Sequence, residues 1–258
     1  MNIFKELYAY REMIFSLVHR DLKGRYKGSV LGFAWTFLNP LLQLAVYTMV
    51  FSIILRNNIK DFYLFLFVAL VPWIFFNTCI TGGAGCIRAQ GDMIKKIYFP
   101  REVIPVSFVT SQFVNMCLSL LVVFAALLLA GYPLRLSALI WMPVVMVIEY
   151  FVALGMTFLV SGVTVYWRDV EYFMGIIGMA WQFATPVMYG LEQVPERLVP
   201  FFRLNPMTPV IVAYRDILYY GRAPQMETLL SAVIFGVVIV AVGYMVFHHL
   251  KKHFAEEL

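Results

Sequence analysis

The sequence predicts an all-α membrane protein. It should have six transmembrane helices, an N-terminal amphipathic interface helix, and a re-entrant helical segment between spans 5 and 6. Three observations predict this. Of 258 residues, 62% are hydrophobic and 14% charged, whereas soluble domains run at about 45–50% apolar and about 25% charged. Apolar runs recur at the length of about 20 residues that a bilayer crossing needs. Cations gather at the ends of those runs, as orientation signals do. The pI near 9.1 therefore points to membrane lipid, not to nucleic acid.

Residues 1–28 read as a cytoplasmic interface helix and linker. Ile3, Leu7, Tyr10, Ile14 and Leu17 share one helical face, with Lys5, Glu12, Ser16, His19 and Lys23 opposite. That stretch is too charged to span and suits the surface of a leaflet. It has no short apolar core before a small-residue cleavage site, so no cleavable signal peptide is expected.

Span 1 covers about residues 30–55, directly after Arg20, Lys23, Arg25 and Lys27. Trp35, Asn39, Gln43 and Tyr47 recur along it at every fourth residue, a slowly drifting stripe on a helix. Asn and Gln are costly against lipid, so the stripe should face protein or a wet path. Span 1 is expected to be the element around which the others assemble.

A polar turn with Arg56, Asn57, Asn58 and Lys60 leads to span 2, residues 62–87, which Pro72 should kink. Its small-residue end, TGGAG at 81–85, permits close helix contact. Residues 88–101 carry four cations and one acid and cannot span. Span 3 is residues 103–130, where Ser107, Ser111, Asn115 and Ser119 should serve helix packing. After a turn at 131–137 comes span 4, 138–165, with one acid, Glu149, near its middle. A buried acid there should be partnered or protonated.

A charged link at 166–171 precedes span 5, 172–189, with Gly178, Trp181, Gln182 and Thr185. Residues 190–227 form an external segment broken by prolines. Thr208 with Pro209 reads as a helix start, and Gly221 as a stop. The roughly 12 residues between are too few to cross, so two short helices should dip into the leaflet. Span 6 covers 228–250, where Ile239 is expected to face lipid, and 251–258 is a tail.

The chain thus reads as one transmembrane domain. With both termini cytoplasmic, 13 cations lie inside and 7 outside, as the positive-inside bias requires. No internal repeat is visible, so a symmetric pathway needs a second copy. Cys79, Cys86 and Cys117 show neither CxxC nor Cys/His spacing, so no metal site is expected. There is no GxxxxGK[ST] loop and no Ser/His/Asp set. The subunit should not be an enzyme and should have no catalytic residue.

Five stretches, in order and spacing, resemble the membrane subunit of polysaccharide ABC exporters. They are RDLKGRYKGSVLGFAWTFLNP at 20–40, KKIYFPREVIP at 95–105, VYWRDVE at 165–171, TPVMYGLEQVPE at 185–196 and LNPMTPVIVAYRDILYYG at 204–221. These type-2 permeases carry lipid-linked O-antigen, capsule or teichoic-acid polymers. The resemblance covers the whole chain. It implies a homodimer paired with two copies of a separate ATPase that binds ATP and Mg, in a bacterial inner membrane. It also implies an undecaprenyl-linked polysaccharide substrate and a path at the dimer interface lined by spans 1 and 5. The five stretches do not select among O-antigen, capsule and teichoic acid; O-antigen is the polymer expected.

On that basis Trp35, Asn39, Gln43, Tyr47, Gly178, Trp181, Gln182 and Thr185 are the expected channel lining. Aromatic faces suit sugar C–H faces, and amides keep the path wet. Asp92, Lys95, Lys96, Ile97, Tyr98, Arg101, Trp167, Arg168 and Asp169 are the expected ATPase contacts, with Ile94, Ile97 and Tyr98 on a short docking helix. Two other readings stay open: a drug, small-molecule or lipid efflux permease of the same class, and an ion-coupled secondary transporter. The second would need intramembrane charge, and only Glu149 qualifies.

Overall fold

The structure is a computed structural model that describes residues 3–25, 27–54, 59–132 and 134–257. The expected turn residues Arg56, Asn57 and Asn58, and the last residue of span 1, lie outside the described residues. Among those described, every regular element is helical.

The N-terminal stretch is two helices, α1 (Ile3–Ala9) and α2 (Arg11–Gly24), instead of the single helix expected. Span 1 is α3 (Trp35–Thr48), entered by a 3-10 turn at Gly32–Ala34 and left by a π turn at Met49–Ile54. Span 2 is α4 (Phe62–Ala84), which stays helical through Pro72. A short α5 (Gly91–Lys96) precedes span 3, α6 (Val103–Leu129). Next come α7 (Leu136–Leu139) and span 4, α8 (Met142–Tyr166). Span 5 is α9 (Asp169–Phe183). Two short helices follow, α10 (Val199–Leu204) and α11 (Met207–Leu218), then span 6, α12 (Met226–Leu250), and α13 (Phe254–Glu257).

Among the described residues, five helices are long and apolar enough to cross a membrane. The sixth span, α9, has only 15 residues, about 22 Å of helix. Beyond Phe183 the chain continues non-helically, with Thr185, Pro186, Val187 and Met188 buried. Irregular backbone survives at membrane depth only when protein covers it.

Span 2, not span 1, is the centre of the bundle. Its apolar window is 78% buried, against 11% for Gly32–Ser52. The reason lies in side-chain distribution. A helix that is apolar all round can bury its whole circumference, and α4 touches α3, α6, α8, α9 and α11. At its end each glycine admits a different neighbour. A Cβ on Gly82 would lie 3.1 Å from Phe108, and one on Gly83 would lie 2.8 Å from Thr157.

Spans 4 and 6 approach most closely of all. A Cβ on Gly155 would meet the backbone nitrogen of Val240 at 2.6 Å and the Ile239 carbonyl at 2.7 Å. Small residues allow backbones this near. Ile239 is therefore half-buried against span 4 and does not face lipid freely.

The polar stripe of span 3 does serve packing. Ser119 donates to the Thr36 carbonyl of span 1 at 3.1 Å. Ser111 bonds Asp21, whose neighbour Arg25 donates to Gln112 at 2.8 Å. These bonds hold the end of α2 against span 3 well inside the helix.

Candidate functional site

The stripe on span 1 forms a polar track held at three separate points. The Trp35 indole donates to Ser29 Oγ at 3.1 Å, and Gln43 donates to Asn39 Oδ1 at 3.1 Å. One turn on, Gln182 Nε2 of span 5 donates to the Tyr47 hydroxyl at 3.1 Å. Spans 1 and 5 are thus joined by a side-chain hydrogen bond at this point. Beside the track lies a cavity of about 330 Å³, lined in part by Arg25, Trp35, Asn39, Thr78, Gln112 and Asn115.

Three of the expected lining residues on span 5 point elsewhere. Gly178 is buried against Asn77 and Thr81 of span 2. Trp181 packs edge-on against Phe76 with centroids 5.2 Å apart and donates to Asn205 Oδ1 at 3.0 Å. Thr185 is wholly buried and accepts from Asn205 Nδ2 at 2.8 Å. Helical spacing put Gly178 and Thr185 on one face with Gln182, but Gly178 meets span 2 and Thr185 the 205 turn of its own subunit.

Asn205 was not singled out from the sequence. It also donates to the Ala184 carbonyl and accepts the Met207 amide, both at 3.0 Å. It therefore opens α11 from two residues before its first residue, Met207, whereas Thr208 was expected to cap it. The Thr208 hydroxyl is buried and takes no part. At the other end, Gly221 adopts φ +63°, the left-handed stop expected.

Arg215 was missed as well. It is 4% exposed and stacks over Phe65 at 3.7 Å. Its guanidinium donates to the carbonyls of Val187 at 2.6 Å and Tyr189 at 2.9 Å. Those carbonyls belong to the non-helical end of span 5, where no helix supplies partners. The preceding residue, Tyr214, donates to Glu149 Oε2 at 2.7 Å. The acid of span 4 is thus fully buried and partnered.

The expected ATPase contacts lie at the end of the bundle that carries both termini. Asp92, Lys95, Lys96, Ile97, Tyr98, Trp167, Arg168 and Asp169 are exposed, and Arg101 is half-buried. Tyr98 is 87% exposed and Trp167 69%, a large apolar surface for a chain end. The docking helix is shorter than expected. It ends at Lys96, Ile97 is extended, and Ile94 is buried within the subunit. Arg101 organises the following turn by donating to the Phe99 carbonyl at 2.9 Å. Its neighbour Glu102 is buried and pairs with Lys251.

No group of three or more His, Cys, Asp or Glu among the described residues is placed to hold a metal. The profile of the ABC-2 type transporter family matches residues 12–219. The chain belongs to the ABC-2 type transporter family. It is a multi-pass membrane permease, a transport subunit whose partner ABC ATPase hydrolyses ATP.

Similar proteins carry more specific names. The chain is 36% identical over 261 aligned residues to the O-antigen export system permease protein RfbA of Myxococcus xanthus, with all of both chains covered. It is 30% identical to the protein of the same name from Klebsiella pneumoniae, covering 96% of this chain and 95% of that one. It is 21% identical to the polysialic acid transport protein KpsM of Escherichia coli, covering 88% and 89%.

Proposed function

We propose that this ABC-2 permease forms the channel through which lipid-linked polysaccharide, of the O-antigen class, crosses the bacterial inner membrane. The full-length similarity to O-antigen export permeases supports the substrate class. The observation that carries the mechanism is the track of Trp35, Asn39, Gln43 and Tyr47 ending on Gln182. Spans 1 and 5 bearing it are poorly covered within one subunit; along α9 only Met174 and Gly178 are buried. A two-fold axis would cover them with their copies and close a polar path.

The working unit is a homodimer with two copies of the ABC ATPase, which bind ATP and Mg. The substrate is carried on undecaprenyl. Both termini and residues 88–101 lie in the cytoplasm, and 190–227 outside, within a single transmembrane domain. Asp92, Lys95, Lys96, Ile97, Tyr98, Arg101, Trp167, Arg168 and Asp169 face the ATPase. Gly178, Trp181 and Thr185 hold span 5 in place and do not line the path.

The test is deletion of the chain in its host. Undecaprenyl-linked polymer should accumulate inside the cytoplasmic membrane and vanish from the surface, and the chain supplied in trans should restore it. Normal surface polymer in the deletion strain would refute the substrate assignment.

A further inference from the structure

We infer that Arg88 and Glu171 form a strut. It passes motion from the cytoplasmic segment 88–102 into span 5, and so to the contact of Gln182 with Tyr47. The inference rests on the permease reading above and adds two positioning residues to it.

Arg88 sits in the 3-10 turn Arg88–Gln90, between the end of span 2 and α5. Its Nη1 lies 2.8 Å from Glu171 Oε2, in the first turn of α9. Gly85 leaves room for the acid, since a Cβ there would meet Glu171 Oε1 at 2.8 Å. Arg168 and Glu257 also border this spot. Among the described residues, this is the ion pair that joins segment 88–102 to α9.

The other side-chain hydrogen bonds of α9, among the described residues, lie at its far end, where Trp181 meets Asn205 and Gln182 meets Tyr47. Between the ends it rests on span 2 through Gly178, and along it only Met174 and Gly178 are buried. A pair this exposed, 33% and 45%, adds little to stability. Its geometry matters more. The 12 residues from Glu171 to Gln182 form one stiff rod of about 16 Å. Segment 88–102 is fixed to α2 by Arg20 on Gln90 and to span 6 by Glu102 on Lys251. A push on Tyr98 or Ile97 therefore reaches span 5 through Arg88.

The experiment uses the permease purified in bilayer discs with its ATPase. Tyr47→Cys and Gln182→Cys are introduced together, and the rate of disulfide formation is read with and without ATP and Mg. In that background ATP should change the rate several-fold. Arg88→Glu or Glu171→Arg should each abolish the change without altering ATPase co-purification. The charge-reversed double variant should restore it. An ATP response in either single variant equal to the parent overturns the strut. So does a double variant that remains silent with its complex intact. The readout needs no polymer, so failure of the substrate assignment would leave this result standing.

Discussion

Tyr214 on α11 donates a 2.7 Å hydrogen bond to Glu149 on α8, and both side chains are fully buried. The next residue, Arg215, grips the carbonyls that end span 5. Consecutive residues of one short helix thus fasten spans 4 and 5, while the guanidinium stacks on Phe65 of span 2. The short helix α11 is a staple. Its buried polar side chains tie a 12-residue helix, too short to cross a bilayer, to spans 2, 4 and 5.

That bond separates a structural acid from an ion-coupling one. Glu149→Gln keeps an acceptor for Tyr214 and should leave assembly, ATPase stimulation and export near the parent level. Tyr214→Phe strands the acid and should cost about 1–3 kcal/mol, the penalty of a buried group without a partner. The denaturation midpoint of the detergent-solubilised permease reports the loss. Export abolished in an assembled Glu149→Gln protein would make the residue an ion-coupling site.

Arg215 should resist conservative replacement. Lysine keeps the charge but offers a point donor in place of a fork that reaches two carbonyls. Arg215→Lys should therefore melt below the parent, and Arg215→Met lower still, because two buried carbonyls lose their donor. Equal melting of parent and Arg215→Met would show that water replaces the guanidinium.

Periodicity revealed which residues share a face, and for span 3 it also revealed the use of that face. Ser111 and Ser119 pack as their spacing implied because small hydroxyls meet whichever helix lies nearby. It could not reveal which neighbour a face meets. Gly178, Gln182 and Thr185 share a face by helical spacing, yet Thr185 lies beyond the end of α9, and the three contact Asn77, Tyr47 and Asn205 respectively. The roles of Asn205 and Arg215 were hidden for a related reason. Most of their partners are backbone groups, which carry no residue-type signal. One cue for Arg215 was available: a cation inside an apolar helix too short to cross must find acceptors locally.

At the bundle end that carries Tyr98 and Trp167, aromatic contacts should outweigh charges. Exposed ion pairs contribute about 0–1 kcal/mol, whereas burying a large aromatic contributes about 1.5–3 kcal/mol. Tyr98→Ala and Trp167→Ala should each weaken ATPase binding by about tenfold or more, since 1.4 kcal/mol is a factor of ten. Replacing Lys95 and Lys96 with Ser should weaken it less, chiefly at low salt. Titration of the ATPase against detergent-purified permease decides this. If the lysine variant lost more than the aromatic ones, the docking surface would be electrostatic.

Bulk placed along the track should separate lining from packing. Gln43 is half-buried and bonded to the exposed Asn39, on a span whose apolar window is only 11% buried. A tryptophan there projects into the proposed path, so Gln43→Trp should stop export while ATP hydrolysis continues. Thr185 is fully buried and bonded to Asn205, so Thr185→Trp has no space and should fail at assembly instead. Overpacking a filled site costs about 1–3 kcal/mol and sometimes more. Val237 is 64% exposed on span 6 and makes a better lipid-facing control than Ile239, which lies against Gly155. Val237→Trp should assemble and export normally. Cysteines at positions 43 and 237 then test the symmetry. Position 43 should cross-link between subunits and position 237 should not. Cross-linking at 237 alone would move the two-fold axis to span 6, leaving the track of span 1 to face lipid, where its Asn and Gln amides would go unsatisfied.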